Sequence, residues 1–68
     1  MKPRDRILGL LLHARHAISS YDIGQLCGLG SWRLYPALHK LELDNLVTSE
    51  WEFPHGDFPR HRMYRLKD

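Results

Sequence analysis

Three residues, Gly28-Leu29-Gly30, constrain this chain more than any other stretch. They lie between two segments of helical periodicity and leave room only for a tight turn. Glycine suits such a turn because it accepts the left-handed backbone that stops a helix. Upstream, Ser19-Ser20 supplies an N-cap, Asp22 places an acid in the next turn, and Ile23, Leu26 and Cys27 repeat at i, i+3 and i+4. The segment Tyr21 to Cys27 therefore reads as a short helix. Downstream, Ser31 reads as the cap of a longer helix reaching about Asp44, with Leu34, Ala37, Leu38 and Leu41 as its inner face. Pro36 is tolerable only near a first turn, so the regular part is expected a residue or two after Ser31. Two helices joined this closely must cross. One face of the second then packs on a core while the opposite face stands clear.

The flanking segments complete the frame. Asp5 to Ala14 reads as a first helix, with Pro3 ahead of it and a stripe of Ile7, Leu8, Leu11, Leu12 and Ala14. Arg15 to Ile18 is a short connection with one extended pair. Asp44-Asn45 ends the third helix, asparagine taking the left-handed position. From Val47 the period changes to two: Val47, Ser49, Trp51 and Phe53 alternate with Thr48, Glu50 and Glu52 as a half-buried strand. Pro54 to Pro59 is a turn, and Arg62 to Leu66 a second strand with Tyr64 and Leu66 inward and Met63 and Arg65 outward, or the reverse if the register slips by one. Trp51, Val47, Tyr64 and Leu66 are read as core. Because a lone hairpin is marginal in water, it needs a helix over one face. The order of elements is that of an α+β winged helix-turn-helix: three helices followed by a two-stranded β-hairpin wing, residues 1–68 forming one domain.

Composition narrows the function. At 68 residues the core is small, and the single cysteine, Cys27, excludes a disulfide framework and a thiolate zinc site. Cys27 is read as a small buried hydrophobe. No apolar run approaches the roughly 18 residues of a membrane span. We therefore expect a soluble, cytoplasmic protein with no membrane partner. Ten Lys and Arg against eight Asp and Glu leave a net charge of only +2, but the charges are segregated. Asp44, Glu50, Glu52 and Asp57 fall in a stretch without a base, whereas Arg60, Arg62, Arg65 and Lys67 fall in one without an acid. Lys2, Arg4 and Arg6 add a basic lead. Such segregation suits an electropositive face for a polyanion. The five histidines, His13 and His16 one turn apart and His55 and His61 flanking the hairpin turn, lack carboxylate or thiolate companions at ligand spacing. They are read as surface donors, with no metal and no cofactor. No nucleophile–base pair, phosphate-cradling glycine loop or deep pocket is indicated, so no enzyme is expected.

The face of the third helix opposite its leucines carries Trp32, Arg33, Tyr35, Pro36, His39 and Lys40. A helix roughly 10–12 Å across fits a B-DNA major groove about 12 Å wide. Arginine can fork onto a guanine edge, and tyrosine, histidine and lysine can donate to phosphate. Trp32 could instead cover the core. Of the wing bases Arg60, Arg62 and Arg65, one is expected to pair with Glu50 or Glu52 and the others to face nucleic acid. The rival reading is a protein-interaction module anchored by Trp32, Tyr35, Phe53 and Phe58.

The run Ser31-Trp32-Arg33-Leu34-Tyr35-Pro36-Ala37-Leu38-His39-Lys40-Leu41-Glu42 resembles the recognition helix of PadR-like transcriptional regulators, and so do the later Leu46-Val47, Glu50-Trp51 and Tyr64-Arg65-Leu66. The resemblance covers roughly residues 7 to 66. It implies a winged helix on double-stranded DNA, with the third helix in the major groove and Tyr35 near phosphate. Asn45 stands where that family has glycine. Family members continue into a C-terminal helical region that dimerises, whereas this sequence stops at Asp68. A DNA-binding head is therefore expected, forming a homodimer or assembling cooperatively on DNA. Its DNA-binding set is Ser31, Trp32, Arg33, Tyr35, Pro36, His39, Lys40, Arg60, Arg62 and Arg65.

Overall fold

The computed structural model describes residues 1–52, 56 and 60–67. Phe53, most of the hairpin turn with His55 and Phe58, and Asp68 lie outside them. Helix α1 spans Pro3–Ala14, strand β1 Ile18–Ser19, α2 Ser20–Cys27, α3 Ser31–Leu43, β2 Val47–Trp51 and β3 Arg62–Leu66. Pro3 occupies the first turn of α1, where its missing N–H has no partner to lose, so the helix begins earlier than Asp5.

The turn between α2 and α3 closes as the glycines require. Gly28 takes the left-handed conformation at φ 67°, its N–H donates to the Gln25 carbonyl, and Leu29 N–H donates to the Gly24 carbonyl at 2.8 Å. This Schellman-type closure folds Leu29 back into the core, where it is buried. Leu26, placed inward by periodicity, is instead 67% exposed, whereas Leu29, beyond the end of the helix, is buried. The second departure concerns the cap of α3. Gly30, not Ser31, is its N-cap residue, extended and without a side-chain hydrogen bond, and Ser31 is the first helical residue. Pro36 stands inside the helix, which runs regularly from Ser31.

One hydrophobic cluster joins all three helices to the sheet: Ile7, Leu11, Ile18, Ile23, Leu29, Leu34, Leu38, Leu41, Val47 and Tyr64. On α1 the buried pair is Ile7 and Leu11. Leu12 lies about 140° around the helix from Ile7 and is 64% exposed, outside the core in which the sequence placed it. Cys27 is half-buried against the cluster, and burial pushes its thiol pKa up while Arg6 opposes the shift. A thiol so shifted is a poor nucleophile at neutral pH. Burial, and then the Glu42 carboxylate, likewise raise the Tyr64 phenol pKa.

The sheet has three strands, not the two of the hairpin alone, in the order β1-β3-β2. The pair Ile18-Ser19 runs antiparallel to β3, with Ile18 opposite Tyr64. Two residues carry no period, so only tertiary pairing identifies them as a strand. Across the hairpin, Val47 faces Leu66, Ser49 faces Tyr64 and Trp51 faces Arg62. Ser49 Oγ donates to Glu42 Oε2 at 2.9 Å, tying the hairpin to α3. The basic lead is partly structural: Arg4 pairs with Asp44 at 3.5 Å, and Arg6 donates to the Cys27 carbonyl at 3.2 Å.

Two helical glycines predict opposite responses to alanine. A Cβ on Gly9 would meet nothing within 4 Å, so Gly9→Ala is expected to stabilise by about 0.5–1 kcal/mol through helix propensity. A Cβ on Gly24 would lie 3.1 Å from both the Leu29 carbonyl oxygen and Leu34 Cδ2, where α2 rests on α3. The carbonyl is held by the turn and cannot yield cheaply. Gly24→Ala is therefore expected to destabilise by about 1 kcal/mol net, overpacking outweighing propensity. Urea unfolding of the two variants beside the parent measures both.

Candidate nucleic-acid interface

Helix α3 sorts its side chains into lanes at about 100° per residue. Leu34, Leu38 and Leu41 are buried, and the middle of the opposite face is Trp32, Pro36, His39 and Leu43, all exposed. Arg33 and Lys40 lie together along one flank of that face. Tyr35 lies along the other, nearest the sheet, and its hydroxyl stands 3.5 Å from Ser20 Oγ at the start of α2. Trp32 does not cover the core. It is 79% exposed, its indole edge lies against Gly30, and the Arg33 guanidinium stands 5.8 Å from its ring centroid. Lys40 pairs with Asp44 at 3.7 Å, one helical turn on, an exposed contact that gives up its lysine at little cost. Leu43 is a further member that counting around the expected helix to Asp44 already places on this face, although its apolar character does not suggest a contact residue.

The wing divides its bases. Arg62 follows Tyr64 and Leu66 on the inward face of β3, but that face runs beyond the helices that cover it. Trp51, directly across from Arg62, is therefore 55% exposed and not in the core. The Arg62 and Arg60 guanidiniums lie over its ring at 5.3 and 5.8 Å. Arg62 Nε also donates to Ser49 Oγ at 3.1 Å. Glu52 accepts from the His61 backbone N–H at 3.0 Å and lies 2.9 Å from His61 Nδ1, pinning the base of the wing.

Between α2, α3 and the wing these groups border an open cleft of about 480 Å³. Ser20, Tyr21 and Tyr35 line it from the helices, and Trp51, Arg60, His61, Arg62 and Tyr64 from the hairpin. Of the sequence-derived set, the structure thus brings Tyr35, Arg60 and Arg62 together. Ser20, Tyr21, Trp51, His61 and Tyr64 are additions. Local pattern makes Ser20 a cap, Trp51 and Tyr64 core and His61 a surface donor, so only the docking of the hairpin joins them. Arg65 lies elsewhere, in a second groove with Leu12, Arg15, His16 and Leu66. Among the described residues no group of three or more His, Cys, Asp or Glu side chains is placed to hold a metal ion.

A helix pair crossing through a glycine turn, with a hairpin beside the second helix, defines a winged helix-turn-helix. The crystal structure of Bacillus subtilis PadR in complex with operator DNA matches this chain with a TM-score of 0.72 and 30% sequence identity over 96% of its length. The chain spans 40% of that PadR chain. It is a winged helix-turn-helix domain similar to the matching part of PadR. No family model and no curated protein matches it at a significant level. Among the described residues no helix is long and apolar enough to cross a membrane.

Proposed function

We propose that this chain is a double-stranded DNA-binding transcriptional regulator of the cytoplasm, its 68 residues acting as one binding unit. The observation that carries the reading is the unburied face of α3, with Arg33 and Lys40 along one flank and a basic wing beyond the other. The structural match to an operator-bound PadR supports it. In this reading α3 enters the major groove. Arg33 reaches a base edge, Trp32, Pro36 and His39 line the groove floor, and Ser31, Tyr35 and Lys40 donate to backbone oxygens. Arg60 and Arg62 meet phosphates beside the groove, and Arg65 meets the backbone further along. The role is binding, not catalysis.

A single winged helix reads few base pairs, so useful specificity needs two copies on neighbouring half-sites, as a homodimer or by cooperative assembly. The test is titration of duplexes selected from a random pool, followed by fluorescence anisotropy between 50 and 200 mM salt. About four to six phosphate contacts per copy give a log–log salt slope near −4 to −5. A repeated or palindromic consensus reports the arrangement of copies. Absence of binding to both selected and random duplexes at 50 mM salt overturns the reading.

A further inference from the structure

Trp51 is a large apolar side chain left half in solvent, beside a cleft whose other wall carries hydroxyls. Its ring lies within 6 Å of two guanidinium carbons, Arg62 directly across the strand pair and Arg60 just before β3. Guanidinium groups held against an aromatic ring keep their N–H edges directed away from it, in the geometry that grips a phosphate with two donors. Arg62 is fixed a second time. Its Nε donates to Ser49 Oγ, and that hydroxyl donates in turn to Glu42 of α3. The helix and the wing guanidinium are thus in one hydrogen-bonded chain. Opposite, Ser20 Oγ and Tyr35 OH stand 3.5 Å apart and supply hydroxyl donors.

We propose that Trp51 is a positioning residue, whose ring holds Arg60 and Arg62 over this cleft so that it seats one backbone phosphate of a bound duplex. The inference rests on the DNA-binding reading above. It assigns a place to a phosphate and a role to a residue that reads no base. Without the ring, Arg60 and the outer end of Arg62, beyond its bond to Ser49, must be ordered at the moment of binding, and the entropy lost then weakens the contact.

The test compares the parent with Trp51→Ala, Trp51→Phe, the pair Arg60→Ala with Arg62→Ala, and all three alanines together. Each is titrated with a random-sequence duplex of about two helical turns between 50 and 200 mM salt. Trp51→Ala is expected to weaken binding about 5- to 10-fold at 100 mM salt and to make the slope shallower by about one, the value for a lost phosphate contact. Trp51→Phe, which keeps a ring, is expected to stay within about twofold of the parent with its slope intact. In the double-arginine background, Trp51→Ala is expected to add nothing. Parent affinity and slope in Trp51→Ala overturn the proposal, as does further loss in the arginine-free background, which means the indole itself touches DNA. If thermal melting shows Trp51→Ala to be unfolded, the arginine pair decides: an unchanged slope there overturns the seat. A parent protein that binds no duplex removes the DNA reading and this inference with it, whereas a binding parent with an indifferent Trp51 removes only the inference.

Discussion

Leu38→Ala is expected to remove about 3 kcal/mol of folding stability and to lower the thermal midpoint by about 12–24 °C. Leu38 is 1% exposed and sits among the fully buried side chains that join α3 to the rest of the core. Truncation there loses the transfer energy of three carbons and leaves a cavity that rigid neighbours fill only partly. Leucine-to-alanine changes at such sites cost about 2–5 kcal/mol. A domain of this length holds only about 3–10 kcal/mol in total, so the variant keeps about 0–7 kcal/mol and is substantially unfolded at the low end of that range. Leu43→Ala, a few residues on but on the exposed face, is expected to shift stability by less than about 0.5 kcal/mol. Circular dichroism melts of the two variants measure the contrast. A Leu38→Ala protein within about 1 kcal/mol of the parent means that α3 is not anchored as described.

That contrast marks where the sequence was legible. Helix α3 repeats its leucines for three turns, and all the residues assigned to its inner face point inward because no other register buries as much apolar surface. The left-handed positions at Gly28 and Asn45 were equally legible, since few residue types take them at low cost. The misplacements have one cause. Leu12, Leu26 and Trp51 are apolar residues that local periodicity sends inward, but a core this small cannot cover every such residue. Which one loses depends on distant geometry. Leu26 stays outside while Leu29, folded back by the Schellman turn, is buried, and Trp51 stands at the far end of β2, where the strand's residues are exposed. The strand Ile18-Ser19 is invisible to pattern for a related reason, being defined by its partner β3.

The candidate site shows the same division. The α3 face follows from counting around one helix, so its members were available from sequence. The cleft was not, because Ser20, Tyr35, Trp51 and Arg62 come from four elements and meet only when the sheet docks. Arg65 was grouped with Arg60 and Arg62 by proximity in sequence. Alternation along β3 sends it to the other face of the strand.

Arg33→Ala combined with Lys40→Ala is expected to weaken duplex binding about 30- to 1,000-fold at 100 mM salt, the largest loss from any pair on the surface. Arg33 is the flank residue best placed to fork onto a base edge, and losing such a contact costs about 1–3 kcal/mol. In the proposed docking Lys40 is a point charge toward phosphate, and because its pair with Asp44 is exposed and exchangeable, its removal is expected to lose a full phosphate contact. The two losses differ in kind. Arg33→Ala alone should relax preference at one base position while leaving others unchanged. Lys40→Ala alone should weaken all sequences alike and make the salt slope shallower by about one. Neither side chain is buried, so both variants should melt like the parent, and unfolding cannot mimic the result. Anisotropy titrations of selected and random duplexes separate the effects. If the double variant binds within about twofold of the parent, α3 is not the reading face. If instead Trp32→Ala abolishes capture of a protein ligand while DNA binding is indifferent to Arg33, the exposed aromatic residues serve protein recognition, since tryptophan anchors dominate such interfaces.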